Sequence, residues 1–327
     1  MKQRLLGKTG LMVSEIGLGA WQLGGDWGPV TQEEANSILA AADTAGVRFW
    51  DTADVYGNGQ SEDFIGQYQV ANQSGNRVIV SKVGRNSELY PDGYTQEKVR
   101  ASIERSRDRL QVDSIDLIQL HCIPFAEIQR GLIFEWLHKM QQDGLIKHYG
   151  ASVETQEEAI YCMENTQVAS LQIILNVLRQ DMINEVLPMA LEKQVGIIVR
   201  LGLASGLLSG SMQKDRQFTQ QDHRSYNRDG AAFHVGETFS GLPFELGVDL
   251  ADQIKAQYAG ELTLAEMSLR WLLDFEAVSS IITGASKPAQ IERNAAVSAL
   301  PKLPQELHQQ LTDFYQAQVR PHIRGVI

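Results

Sequence analysis

Cysteine is nearly missing from this sequence. Cys122 and Cys162 are the only two among 327 residues, so no disulfide framework and no cysteine metal motif organises the chain, and no metal site is expected. Long apolar runs are missing too, since none approaches the about 18 residues of a membrane span. The first ten residues meet Gly7 and Lys8 directly after two leucines, too early for the apolar centre of a secretory signal. Positive charge is in deficit: 29 basic against 40 acidic residues leave a net charge of −11. That balance argues against nucleic acid or an anionic membrane as partner. The expectation is a cytoplasmic protein acting on a small molecule, with no sign of its oligomeric state in the sequence.

Short apolar stretches alternate with helical ones along the whole chain. Residues 7–10 read as the turn of a hairpin and Ile16–Gly19 as a first strand. Thr31 with Glu34 forms a capping box for a helix that stops at Gly46. Further strands are expected at 47–51, 77–82, 114–121, 148–152, 171–176, Gly196–Arg200 and 280–283. Ser61, Thr95 and Thr155 are candidate helix caps, and later helices are expected over 129–142, 246–258, 263–273, 288–299 and 304–316. Eight strand–helix units with no shift in composition predict one (β/α)8 TIM barrel domain over residues 1–327, with an N-terminal hairpin and a C-terminal helix. A doubly wound open sheet is the competing layout. Residues 211–243 break the rhythm: polar and aperiodic, they read either as a lid carrying Arg224, Arg228, Phe233 and Phe239 or as a disordered insertion.

In parallel α/β folds the site lies at the carboxyl ends of the strands. The expected strand ends are Asp51, Lys82, His121, Ser152, Asn176 and Arg200, far more polar than the strands they terminate. A lone strand-end charge is usually just solvated. Three consecutive strands ending in Asp, Lys and His, with Tyr56 near the first, form a constellation. Asp51 can pair with Lys82, and an ammonium beside the Tyr56 hydroxyl should lower a pKa ordinarily near ~10, giving a usable general acid. His121 can hydrogen-bond a carbonyl oxygen. Asp54 and Cys122 are expected to alternate away from the site. Gln22 stands where the last glycine of GxGxxG belongs, which removes the Rossmann reading of Gly17 and Gly19. Residues 202–210, after the seventh strand, and 283–288, opening a helix after the eighth, suit phosphate groups. For the first of these a plain flexible turn is the alternative.

Asp51-Thr52-Ala53-x-x-Tyr56-Gly57, Ser81-Lys82, Leu120-His121 and Gly150-Ala151-Ser152, in this order and spacing, resemble the aldo-keto reductase family. The resemblance extends over nearly the whole chain. It implies NADP(H) lying extended across the barrel's carboxyl face, and hydride transfer to an aldehyde or ketone. Tyr56 would be the proton donor, Lys82 and Asp51 would tune it, and His121 would position the carbonyl. Ser152 and Gln172 would hold the nicotinamide carboxamide, with Asp51 close by. Gly19, Ala20 and Trp21 match the first barrel loop, near cofactor and substrate. Leu203, Ser205, Gly206 and Leu208 match the pyrophosphate loop. Gly284, Ser286, Lys287, Gln290 and Asn294 match the adenosine and 2′-phosphate seat, where the Lys287 charge favours NADP(H) over NAD(H). Trp21, Trp27 and Tyr90 are candidates for the pocket wall. Three departures stand out: Val153 replaces a frequent asparagine, Arg200 stands where an aromatic ring usually stacks on the nicotinamide, and Gly202 replaces a usual proline, which loosens its loop. The Arg200 charge should repel the oxidised cofactor and favour the reduced one. The rival readings are a catalytically silent NADP(H)-binding sensor or partner subunit and a Schiff-base lyase using Lys82.

Overall fold

Two short strands, β1 (Gln3–Leu5) and β2 (Met12–Ser14), form an antiparallel hairpin at the front of the chain. The computed structural model, which describes residues 1–25, 28–73 and 75–327, then places eight parallel strands in a closed barrel. They are β3 (Ile16–Gly19), β4 (Phe49–Asp51), β5 (Val78–Val83), β6 (Ile115–His121), β7 (Ile146–Ser152), β8 (Ser170–Ile174), β9 (Gly196–Arg200) and β10 (Val278–Gly284). β10 pairs with β3, Gly284 opposite Gly19, and shuts the ring. This is the (β/α)8 TIM barrel, not the open sheet.

Residues two apart on a strand share a face, and that period builds the site. Phe49, Val78, Val80, Leu117 and Ile198 point inward in the amino-terminal half, where Leu6 and Val13 of the hairpin region close the cluster from below. Each such burial contributes roughly 1.5–3 kcal/mol. Two residues further on, the next inward layer is polar and still buried: Asp51, Lys82, Gln119, His121 and Arg200. Outward residues such as Trp50, Ile79, Ile118 and Val199 pack in the main core around the ring. An apolar plug thus supports a polar layer from beneath.

The helix starts largely follow the sequence signals. Thr31 with Glu34 and Thr155 with Glu158 form complete capping boxes, and Thr95 caps its helix alone. Ser61 does not cap. Its helix, Gln60–Ala71, begins directly after Gly59, while the Ser61 hydroxyl is buried, donating to the Ala20 carbonyl at 2.8 Å and accepting from Thr52 Oγ1 at 2.8 Å. The helix expected over 129–142 is two, Phe125–Arg130 and Leu132–Gln142, divided at Gly131 with φ +76°. Asn176 lies beyond the end of β8, donating to the Leu201 carbonyl and the Ser240 hydroxyl, both at 2.9 Å. After Gln305–Phe314 the terminal helix continues as a π turn, Tyr315–Val319.

Residues 211–243 lie across the carboxyl face. They contain a short helix, His223–Tyr226, and two 3-10 turns, Val235–Glu237 and Phe239–Gly241. Asn227, Thr238, Phe239 and Ser240 are buried. The Arg324 guanidinium, in the C-terminal tail, donates to the carbonyls of Gly241 at 2.9 Å, Arg228 at 3.1 Å and Leu242 at 3.2 Å. Among the described residues no helix is long and apolar enough to cross a membrane.

Candidate active site

Asp51 and Lys82 end up side by side because β4 and β5 are neighbours, with Asp51 opposite Val80 and Lys82 one inward step higher. The Lys82 ammonium pairs with Asp51, each side chain 1% exposed. It also donates to the Thr52 carbonyl at 3.0 Å and to Tyr56 Oη at 3.3 Å. Tyr56 sits in the turn after β4, and close backbone packing fixes that turn. Gly57, at φ +59°, lies so near the Gly24 carbonyl that no Cβ fits there. The rings of Tyr56 and His121 meet edge to face, with centroids 5.7 Å apart. Asp51 further accepts from Gln119 Nε2 at 3.2 Å and Gln172 Nε2 at 2.8 Å.

Burial alone would lower the Lys82 pKa, but Asp51 and Tyr56 more than offset it and raise it. For Tyr56 the balance goes the other way from the sequence expectation. Burial pushes the phenol above its ordinary range, and the pull of Lys82 does not compensate. Tyr56 therefore keeps its proton at neutral pH and stands as a donor. Burial, then the charges of Arg85 and Lys82, hold His121 well below the usual histidine range. Its ring is neutral, with one N–H to give.

A cavity of about 810 Å³ opens on this layer. Gly19, Ala20, Trp21, Asp51, Tyr56 and His121 line one part of it. Ser152, Gln172 and Arg200 continue the wall, followed by Leu203, Ser205 and Gly206 and by Gly284, Ser286 and Gln290. Tyr90 also faces the cavity, whereas Trp27 lies outside the described residues. Four expected residues are off its wall: Lys82 lies buried behind Tyr56, Leu208 is buried in the core, Asn294 is buried in its helix, and Lys287 is exposed to solvent. Gln172 gives its amide to Asp51. The Ser205 hydroxyl bonds to the backbone of the long segment, donating to the Glu237 carbonyl at 3.3 Å and accepting from the Phe239 N–H at 3.2 Å. Gln290 Oε1 accepts from the N–H groups of Ser286 at 2.8 Å and Lys287 at 3.0 Å, so it takes the donors a phosphate would use. Asp54 accepts from Asn86 at 2.8 Å and Ser102 at 2.9 Å, bonded to the adjoining loop and helix.

Several cavity residues were not anticipated. Arg85 donates from one nitrogen, Nη2, to Glu154 and to Glu237, both at 2.8 Å. Arg200 lies 3.4 Å from Glu237 and donates to the Val153 carbonyl at 3.2 Å. Its charge is thus answered by a carboxylate, which removes the ground for a simple repulsion of oxidised nicotinamide. Burial would raise the Glu237 pKa, but Arg85 and Arg200 hold it well below the usual range. Glu154, half-buried beside Glu237, is pushed up to about 8 by loss of solvent and by the neighbouring carboxylate. Cys122 faces the cavity after all, because the backbone leaves the strand there at φ +45°. Burial raises its thiol to about 11, an inert state. The ligand-type atoms of Cys122, Glu154 and Glu237 lie within 4.8 Å of one another, but the two guanidinium groups already neutralise that cluster. Gln119 carried a readable signal: a polar residue two before His121 in an apolar strand shares its inward face. Glu237 carried none.

Aromatic groups form the opposite wall. Trp21 stacks over Tyr56 at 5.8 Å and meets His223 at 4.5 Å and Phe233 at 6.4 Å. The donor set fits a nicotinamide dinucleotide. Arg200 Nε, His121 Nδ1 and Gln22 Oε1 are buried without a hydrogen-bond partner among the described residues, and all three residues line the cavity. Buried orphan atoms of this kind are open to a polar partner, whether water or a bound ligand.

Comparison with known proteins gives the family. The model of the aldo/keto reductase family matches residues 15–316. The uncharacterized oxidoreductase YqkF of Bacillus subtilis (strain 168) is 28% identical, covering 94% of each chain. L-galactose dehydrogenase of Arabidopsis thaliana is 27% identical over 92% of this chain and 89% of its own. The solved structure of the glycerol dehydrogenase AKR11B4 from Gluconobacter oxydans superposes with a TM-score of 0.79 at 26% identity, covering 99% of this chain and 98% of that one. With a family match spanning most of its length, this chain belongs to the aldo/keto reductases and shares their NAD(P)H-dependent oxidoreductase chemistry on carbonyl compounds.

Proposed function

We propose that the protein transfers a hydride between NADP(H) and an aldehyde or ketone, with Tyr56 as the proton donor. The observation that carries this reading is the Lys82 ammonium, anchored by buried Asp51 and 3.3 Å from Tyr56 Oη, beside a neutral His121. A nicotinamide cofactor, when bound, supplies the hydride. Tyr56 gives its proton to the carbonyl oxygen as negative charge develops there. Lys82, kept cationic by Asp51, then stabilises the phenolate that remains. His121 donates its N–H to the same oxygen and so orients the carbonyl. Ser152, Gln172 and Arg200 would hold the nicotinamide end, and the loop of Leu203, Ser205, Gly206 and Leu208 the pyrophosphate. Gly284, Ser286, Gln290 and Asn294 would take the adenosine end, with Lys287 and Arg293 as the cations that favour a 2′-phosphate. For that, Gln290 must turn away from the helix start it now caps.

The test is loss of NADPH absorbance with a panel of carbonyl compounds. Tyr56→Phe should lower kcat by about 10²–10⁴ while NADPH still quenches protein fluorescence at the same concentration. Unchanged turnover in that variant would remove Tyr56 from the role, and binding without turnover in the wild type would favour a silent sensor. Lys287→Ala should raise the KM for NADPH but not for NADH.

A further inference from the structure

Beyond the groups that handle the proton, the cavity has a second polar wall beside Tyr56 and His121, made of Arg85 and Glu237. Arg85 engages both its glutamates through Nη2. Its Nε and Nη1 hydrogen-bond to none of the described residues and are not sealed off. The side chain is 17% exposed and its guanidinium lies over the Phe233 ring at 5.5 Å. Arg85 and His121 line the same cavity, so a compound oriented by His121 shares its chamber with the Arg85 guanidinium. Beside it, Glu237 arrives on the long carboxyl-face segment and is 8% exposed.

Unengaged N–H donors next to a carboxylate define a chemical preference. A hydroxyl both donates and accepts, so neighbouring hydroxyls could accept from Arg85 and donate to Glu237. An alkyl chain would cover the same atoms and leave them without partners. A second carboxylate would find the Arg85 charge already answered and would face Glu237. We infer that Arg85 and Glu237 are specificity-determining residues, and that the preferred carbonyl compound is neutral and hydroxylated on the carbons beside the carbonyl. The inference rests on the carbonyl-transfer reading above.

The experiment compares kcat/KM, per free aldehyde, for glyceraldehyde, pentanal and succinic semialdehyde. Glyceraldehyde and pentanal have equal numbers of non-hydrogen atoms and differ in their hydroxyls. Wild type should favour glyceraldehyde over pentanal by about tenfold to a hundredfold, and should handle the anionic aldehyde worst. Arg85→Met should bring the first ratio close to one. Arg85→Lys keeps a cation against Glu237 for folding but loses the forked donors, and should lower the ratio several-fold. Glu237→Gln should keep the preference for hydroxyls but improve succinic semialdehyde. The NADPH dissociation constant, measured by fluorescence, serves as the folding check. A wild type that favours pentanal, or an Arg85 variant that binds NADPH normally with an unchanged ratio, overturns the assignment. If no aldehyde is consumed, the reductase reading fails by itself. Saturation-transfer NMR with erythritol and butan-1-ol then decides the pocket: a polyol signal that Arg85→Met abolishes upholds it, and equal signals in both proteins overturn it.

Discussion

Arg4 and Arg200 stand at opposite ends of one barrel and are held in opposite ways. Every guanidinium nitrogen of Arg4 has a partner: Glu15 at 3.0 Å and the carbonyls of Leu273 at 2.5 Å, Phe275 at 3.1 Å and Val278 at 2.8 Å. Arg200 keeps a long 3.4 Å pairing with Glu237 and a buried Nε with no hydrogen bond to the described residues. The amino-terminal end is finished structure, with its charge tied to backbone that nothing needs to move. At the carboxyl end the charges are balanced but their hydrogen bonding is incomplete, which stores capacity for a ligand.

If the two ends have separate duties, damage at each should show in a different measurement. Tyr56→Phe should remove about 10²–10⁴ of turnover and leave the calorimetric Tm where it is. Arg4→Ala strands the nearly buried Glu15 carboxylate and should reduce unfolding free energy in urea by about 3–5 kcal/mol, with the KM for NADPH unaltered. Loss of activity in proportion to occupancy, with normal stability, would erase the distinction. The acid pair at the carboxyl face gives a smaller, pH-dependent effect. Glu154 holds its proton up to about 8 in the fold, against about 4.3 for a free glutamate, so the native state binds the extra proton between those values. Its contribution to stability is full below the lower value and lost as pH rises through the upper one. Glu154→Gln should flatten the fall in Tm between about pH 5 and pH 9, and an identical slope in both proteins would contradict the assignment. Smallest of all, Ser205→Ala removes the hydroxyl link to residues 237 and 239, worth about 1 kcal/mol, and should raise the KM for NADPH about fivefold.

What was legible in the sequence follows from how local each signal is. Thr31 with Glu34 announces a helix start because both partners lie within one turn. Asp51, Lys82 and His121 announce themselves because a strand's end is visible where its apolar run stops. Ser61 misled for the same reason in reverse: a good cap residue was claimed by a distant carbonyl, that of Ala20. Cys122 was misplaced because alternation holds only while the strand lasts. Arg85 and Glu237, the pair that shapes the pocket, lie 152 positions apart, and the second comes from a stretch without a period. No local pattern can report such a meeting. The downward pull of Lys82 on Tyr56 was legible; the larger effect of burial required the walls around it.

The ring closes by joining its last strand to its first. Asp51, Tyr56, Lys82 and His121 are all synthesised before residue 122, yet Gly284 must arrive beside Gly19 before their chamber is whole. A nascent chain therefore carries its reactive groups for a long interval with no room to use them. Contacts so far apart in sequence form late, and the proposed adenosine seat around Ser286 is made after everything it must serve. Until β10 takes its place beside β3, the ring stays open and the cavity lacks the wall that Thr283, Gly284 and Ser286 supply.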